Sequence, residues 1–166
     1  MRESELRFIR EQGFPDPHPD RQLYVALMLQ PRLVGVLVVL GIVLQSAWLF
    51  LTVSAMLAWS ALVPALNPFD AIYNHVVAYR RGREPLGVAP APRRFAAGLA
   101  GTHALVIGLA MLVGATRTAW LAQGLLMAAV AAVVFARACA GSRLYFVLRR
   151  AIVGRPGVAG RLSAKV

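Results

Sequence analysis

The sequence predicts an all-α integral membrane protein whose four transmembrane helices form two tandem helical hairpins. Three observations carry that prediction. Of the 166 residues, 58% are apolar and only 15% are charged, a balance that a soluble globular domain does not normally carry. The stretches from Leu23 to Leu66 and from Phe95 to Ser142 hold only Arg32, Arg117 and Arg137 as charged side chains. A helix crossing about 30 Å of hydrocarbon needs about 20 residues, so each stretch is too long for one span and fits two. All acids and every Lys or Arg except Arg117 lie in the N-terminal arm, the central loop, the C-terminal tail or the helix ends beside them. The positive-inside rule then places both termini and the central loop in the cytoplasm, with the turns near Gln45 and Arg117 outside.

The arm covers residues 1–22. Arg2, Glu3, Glu5, Arg7, Arg10 and Glu11 leave no apolar core for a signal peptide, so the first span must itself target the chain. Ser4 to Gln12 reads as a short helix, with Glu3 and Arg7 spaced i,i+4, Leu6 and Ile9 on one side and Gly13 as its stop. It is polar enough to lie on a membrane surface. Pro15, Pro17 and Pro19 then alternate with Asp16, His18 and Asp20, a spacing that forbids helix and makes a stiff spacer rather than a His and Asp metal site.

The transmembrane domain is expected over residues 23–150. Its first span, about 23–44, meets Gln30, Pro31 and Arg32; Pro31 either kinks one long helix or starts a short tilted span after an interfacial segment. The second span is about 48–66, with Trp48 and Trp59 available as interface or packing aromatics. The loop 67–93 is basic and proline-rich. Span three is about 94–113 and span four about 120–140, and a basic, glycine-interrupted tail follows over 151–166. Arg80, Arg81, Arg83, Arg93, Arg94, Arg149 and Arg150 are the expected contacts to anionic lipid headgroups.

A repeat organises the two hairpins. Pro31-Arg32, an apolar run and Ser46-Ala47-Trp48 return as Pro92-Arg93, a run and Thr118-Ala119-Trp120, and Tyr73 and Tyr145 follow their tryptophans at equal distance. Both hairpins enter from the same side, so the repeat is parallel. Within the second hairpin, Gly124, Ala128, Ala132, Ala136 and Ala140 recur at spacing four, and Ala100, Ala104 and Gly108 do the same in span three. Helices in lipid associate through such small-residue faces, so spans three and four are expected to pack closely on each other.

The net charge of +11 raises nucleic acid as a partner, but its segregation to one side of the apolar stretches argues for headgroups instead. Cys139 is the only cysteine, which excludes an internal disulfide and a thiolate metal site. His103, in the middle of span three, is the sharpest candidate for chemistry, because an ionisable group at that depth is a functional hypothesis by default. It reads either as a structural histidine bonded to a neighbour or as a ligand to a haem or chlorophyll-type macrocycle. No second histidine lies within a span, so a bis-histidine haem within the chain is excluded. Arg137 and Arg143 flank Cys139 and make a reactive thiol conceivable, although a lone cysteine among alanines more commonly packs. Asn67, Pro68 and Asp70 read as turn and helix-terminus chemistry. There is no nucleophile and base pair, no glycine-rich phosphate loop and no pair of intramembrane carboxylates, hence neither a familiar enzyme nor an ion pathway.

Three segments carry a resemblance: Asn67-Pro68-Phe69-Asp70-Ala71-Ile72-Tyr73, Pro90-Ala91-Pro92-Arg93-Arg94-Phe95-Ala96 and Cys139-Ala140-Gly141-Ser142-Arg143-Leu144-Tyr145. With these, the stretch from Asp20 to Arg150 resembles the uncharacterised bacterial membrane family called domain of unknown function 4395. The resemblance implies a four-helix protein of a bacterial cytoplasmic membrane. It also implies a C-x-G-C-x-x-Y pattern at the last span. Cys139, Gly141 and Tyr145 match that pattern, while Ser142 stands at the second cysteine. This chain therefore cannot cycle between dithiol and disulfide by itself. The expected function is that of a non-catalytic accessory subunit at the edge of a larger membrane assembly, with electron-transfer complexes as natural hosts. The expected partners are other membrane subunits and anionic lipids, with no cofactor of its own beyond a lipid or a pigment or haem at His103. The competing expectation is thiol-redox or sulfur chemistry through Cys139 with a partner thiol protein.

Overall fold

A computed structural model describes residues 2–14, 21–82 and 84–153. The linker of Pro15, Pro17 and Pro19, Arg83, and the tail from Gly154 onward lie outside these residues. Among them, every regular element is helical. Helices α2 (Arg21–Val43), α5 (Ala91–Leu112) and α6 (Thr116–Ala136) are long and apolar enough to cross a membrane. Helix α3 (Ala47–Leu62) is equally uncharged but has 16 residues, or about 24 Å at 1.5 Å per residue. Helix α1 (Glu3–Glu11) precedes the bundle, α4 (Pro68–Ile72) follows α3, and α7 (Ala140–Val153) follows α6.

Local chemistry accounts for most boundaries. Ser46 caps α3 by accepting from the Leu49 N–H at 3.4 Å, and Asn67 caps α4 by accepting from the Phe69 N–H at 3.0 Å, with Pro68 at the first helical position. Helix α2 runs unbroken through Pro31, so the first of the two readings of that segment, one long helix, is the observed one. Helix α3 stops at Leu62, ahead of the expected Leu66, and Pro64–Leu66 forms a 3-10 turn. Helix α4 passes into a wider π-helical stretch, Tyr73–Ala78, and Tyr79–Arg81 closes it as a 3-10 turn. Helix α5 starts at Ala91 and so takes Pro92 and Arg93 into its first turn.

The end of α6 departs furthest from expectation. Arg137 adopts a left-handed backbone with φ of 54°, which stops the helix at Ala136, and a separate helix begins at Ala140. A non-glycine residue in that conformation is uncommon, and it is held by side-chain contacts: Arg137 donates to Ser4 Oγ at 2.6 Å and lies over the Tyr24 ring at 5.7 Å.

The most extensive helix contact is α3 with α5, while the sequential pairs α2 with α3 and α5 with α6 also pack on each other. Gly101 faces the α3 backbone, where an added Cβ would lie 3.2 Å from the Ala58 nitrogen and 3.3 Å from the Ser54 oxygen. At Gly108 the Cβ would lie 2.7 Å from Leu51. Ala104 is fully buried in the core formed by Val38, Phe50, Val53, Leu57, Ile107 and Leu126. The small face of α5 is therefore matched to α3. The expected face on α6 is elsewhere: Gly124, Ala128, Ala136 and Ala140 are exposed and Ala132 is half-buried, and nothing lies within 4 Å of a Cβ placed at Gly124. The reason is azimuthal. Helix α6 turns Gln123 and Leu126 inward, and a stripe at spacing four that includes Gly124 then points away.

Helix α1 is not a surface float. Phe8 and Ile9 are buried with Tyr24, Leu27 and Met28, and Phe8 meets the Tyr24 ring edge-on at 6.0 Å. Arg143 donates to Glu11 at 2.9 Å, and Glu11 accepts from the Cys139 N–H at 3.3 Å. Thus α1 straps the joint between α6 and α7. Helix α7 lies against α5, where Gly141 approaches so closely that a Cβ would sit 2.9 Å from Ala96. Helices α1, α4 and α7 share the Arg93 end of the bundle, and the turns at 44–46 and 113–115 occupy the other. There Gln123 is buried, with Gln45 3.5 Å from its oxygen and Met111 sulfur 3.4 Å from its nitrogen.

Candidate functional site: a buried ion pair and an apolar cavity

At the Arg93 end, four helices are tied by one polar network. The Arg93 guanidinium, only 4% exposed, donates to Asp70 Oδ1 at 2.6 Å and Oδ2 at 2.9 Å and to Gln30 Oε1 at 2.9 Å. Asp70 Oδ2 also accepts from Asn67 Nδ2 at 2.9 Å. The Ser60 hydroxyl lies 3.0 Å from Asn67 Oδ1 and 2.8 Å from the Met56 carbonyl, within donating distance of both. The bidentate fork of Arg93 on Asp70 is the strong geometry for such a pair, and it joins α4 and α5 to α2 through Gln30 and to α3 through Ser60.

Arg93 was expected at the headgroups and is buried instead, because its guanidinium finds Asp70 inside the protein. Arg94 reaches back to α3, donating from Nε to the Ala61 carbonyl at 2.9 Å, one of the carbonyls that a helix end leaves without a partner. Arg80, Arg149 and Arg150 are exposed. Arg81 belongs to the 3-10 turn. Sequence reasoning assigned Asn67 and Asp70 to turn chemistry and overlooked Gln30, although the acid and base of the two quoted motifs were both in view.

Beside this network, α2, α5 and α6, with residues of α1, α3 and α7, line a half-open cavity of about 410 Å³. Its wall is mostly apolar, with Leu57, Ala100, Leu126, Val130 and Val133, and its polar lining includes Gln12, Gln30, Arg93, Cys139 and His103. His103 Nε2 is 3.0 Å from the Ala122 carbonyl. A carbonyl only accepts, so Nε2 carries the proton and a neutral ring keeps Nδ1 as an acceptor. Cys139 is buried under α1 and receives the Ser142 hydroxyl at 3.3 Å, while Gln12 Nε2 donates to the same Ser142 oxygen at 3.3 Å. The two arginines flanking Cys139 in sequence are engaged by Ser4, Glu5 and Glu11. Among the described residues no three His, Cys, Asp or Glu side chains gather to hold a metal.

Glu5 anchors the strap. The Arg2 backbone N–H donates to its Oε2 at 2.9 Å and holds the carboxyl below its ordinary value near 4.5; burial opposes this and the Arg137 guanidinium adds to it. The unfolded chain therefore binds this proton more tightly. The stabilisation is complete above the ordinary value and lost as pH falls through the lowered one. Exchange of α1 amides, corrected for intrinsic rates, is expected to accelerate as pH falls below the ordinary value and through the lowered one, and Glu5→Gln is expected to flatten that dependence. Unchanged protection of α1 across that range would remove Glu5 as its anchor.

Fold and site together define an all-helical protein with three helices of membrane-crossing length and composition, closed at one end by a buried ion pair. The chain matches the family described as domain of unknown function (DUF4395) over residues 26–150, and it belongs to that family. No curated protein and no solved structure matched the chain.

Proposed function

We propose that the chain is a four-span protein of a bacterial inner membrane, with α3 as the short fourth span and both termini cytoplasmic, serving as a non-catalytic accessory subunit of a larger membrane assembly. The observation that carries the assembly reading is the open face of α6. This helix is the least covered of the three long apolar ones, and it presents Gly124, Ala128 and Ala136 outward. In lipid, where water does not drive association, small residues let a second helix approach, and the exposed Leu121, Leu125 and Phe135 on the same side of α6 add apolar surface for it to cover. The topology rests on the gathering of α1, α4 and α7 at one end, where α1 and α7 carry arginines. An even number of spans returns the chain to that side. Helix α7 exposes Leu144, Val147, Leu148 and Ile152 alongside Arg143, Arg149 and Arg150, which suits a helix lying in an anionic headgroup layer. Electron-transfer complexes are the hosts to examine first.

Gly124→Leu tests the reading. The substitution meets open space within the chain and gains helix propensity, so the isolated protein is expected to keep or raise its thermal midpoint, while the chain extracted in mild detergent shifts from a high-mass assembly to the monomer. A chain that is already monomeric in native membranes, by cross-linking and by native electrophoresis, would sink the proposal. A second reading, thiol chemistry with a partner protein, draws on the Ser142 hydroxyl held at the Cys139 sulfur, and it requires α1 to swing aside. Loss of the mixed disulfide formed with the oxidised, disulfide form of a cytoplasmic thioredoxin-like protein in Cys139→Ser, with assembly intact, would favour it.

A further inference from the structure

We propose that the cavity between α2, α5 and α6 binds one neutral lipophile from the membrane, a single hydrocarbon chain whose head carries a hydroxyl or carbonyl oxygen. The inference needs the chain to be in lipid but not to be an accessory subunit, and on α6 it concerns the side bearing Leu126, Val130 and Val133 rather than Gly124 and Ala128.

Size and lining come first. At about 410 Å³, the cavity is within the range of roughly 300–1,000 Å³ that holds small ligands. On α5 its lining runs from Arg93 to His103, about 15 Å at 1.5 Å per residue, so it is long enough for an extended chain. Between those ends the wall is Ala97, Ala100, Leu126, Val130 and Val133, which offers nothing to a polar group.

The polar atoms cluster at the Arg93 end. Gln30 is only 8% exposed and its oxygen is taken by Arg93. Its amide nitrogen makes no hydrogen bond to another described residue, and Gln30 is part of the cavity lining. No fully buried side-chain nitrogen or oxygen among the described residues lacks a partner, so the Gln30 nitrogen is one that opens onto the cavity, where an oxygen on an occupant's head accepts from it. Gln12 gives its nitrogen to Ser142 and keeps a carbonyl oxygen to accept from a hydroxyl. Pro31 has no N–H to offer the Leu27 carbonyl one turn back, and both residues line the same end.

Charge decides the class. The one charged side chain on the wall, Arg93, is already neutralised by the bidentate Asp70. A carboxylate or phosphate head entering here would be a buried charge without a counterion, which is strongly disfavoured. A neutral head is hydrogen-bonded by Gln30 and Gln12 and brings no such cost.

The full-length chain in phosphatidylcholine vesicles is to be labelled with 1-hexadecanol carrying a mid-chain diazirine and a terminal alkyne. The same probe built on palmitic acid, at a pH where the acid is ionised, is the comparison. The alcohol is expected to form adducts on the segments around Ala100 and Ala129, saturably, and to exceed the acid by about fivefold, the worth of one hydrogen bond. Gln30→Leu is expected to remove most of that preference, and Ala100→Phe to abolish the adducts by filling the cavity. Should Ala100→Phe fail to fold, Ala129→Phe fills the space from its open side with the same readout. Equal labelling by alcohol and acid, labelling that free hexadecanol does not compete, or adducts that persist when the cavity is filled would each overturn the proposal.

Discussion

Asp70→Ala is expected to destabilise the protein by about 3–5 kcal/mol, because it leaves the Arg93 guanidinium buried without its counterion. Arg93→Ala is expected to cost a similar amount by orphaning Asp70. Both side chains are nearly inaccessible, at 5% for Arg93 and 10% for Asp70, so water cannot replace the missing partner. The double variant Asp70→Leu, Arg93→Leu is expected to recover much of either loss, since a well-packed apolar pair of similar volume often matches a buried ion pair in stability. Gln30, Asn67 and Ser60 limit that recovery, because the pair also satisfies Gln30 Oε1 and Asn67 Nδ2, and those atoms stay buried. Thermal or denaturant unfolding in detergent, followed by helix signal, reads all three variants and yields the coupling energy. Additive single losses, with no recovery in the double variant, would mean that the two groups do not depend on each other.

The second large effect is expected at the contact of α3 and α5. Gly101→Leu forces a side chain against the Ala58 nitrogen, Leu57 Cβ and Ser54 oxygen, all within 3.3 Å of where its Cβ would be. These are α3 backbone atoms or the first side-chain atom, so relief requires the two helices to separate, and a loss of about 3 kcal/mol or more follows. Gly101→Ala is expected to come much closer to neutral, because better helix propensity, worth about 0.5–1 kcal/mol, offsets the tight approach. Gly124→Ala on the open face of α6 gains the same propensity without a clash and is expected to stabilise the isolated chain. If Gly101→Leu unfolds no more readily than the wild type, the close packing of α3 on α5 is not what holds the bundle.

Much of the fold was legible in the residues. The long uncharged stretches announced the helices α2, α3, α5 and α6, Asn67 read as helix-terminus chemistry, and Gly13 marked the end of α1. The end of α6 was not legible, because Arg137 is no ordinary helix stop and takes a left-handed backbone only with Ser4, Glu5 and Tyr24 around it. The site was half legible. Asp70 and Arg93 stood in the segments that carry the family resemblance, yet they read as a turn residue and a headgroup contact, since nothing local says that residues 23 positions apart meet.

By itself the sequence determined the helical class, the number and position of the apolar stretches and the side on which the charges gather, because these follow from composition, period and caps within each segment. Only the tertiary structure decided that α5 packs more extensively on α3 than on its sequence neighbour α6, that the small stripe of α6 stays open, and that Arg93 turns inward. Each of those outcomes depends on the rotation of one helix about its axis relative to another. That rotation minimises the energy of all contacts together and is not encoded in any one segment.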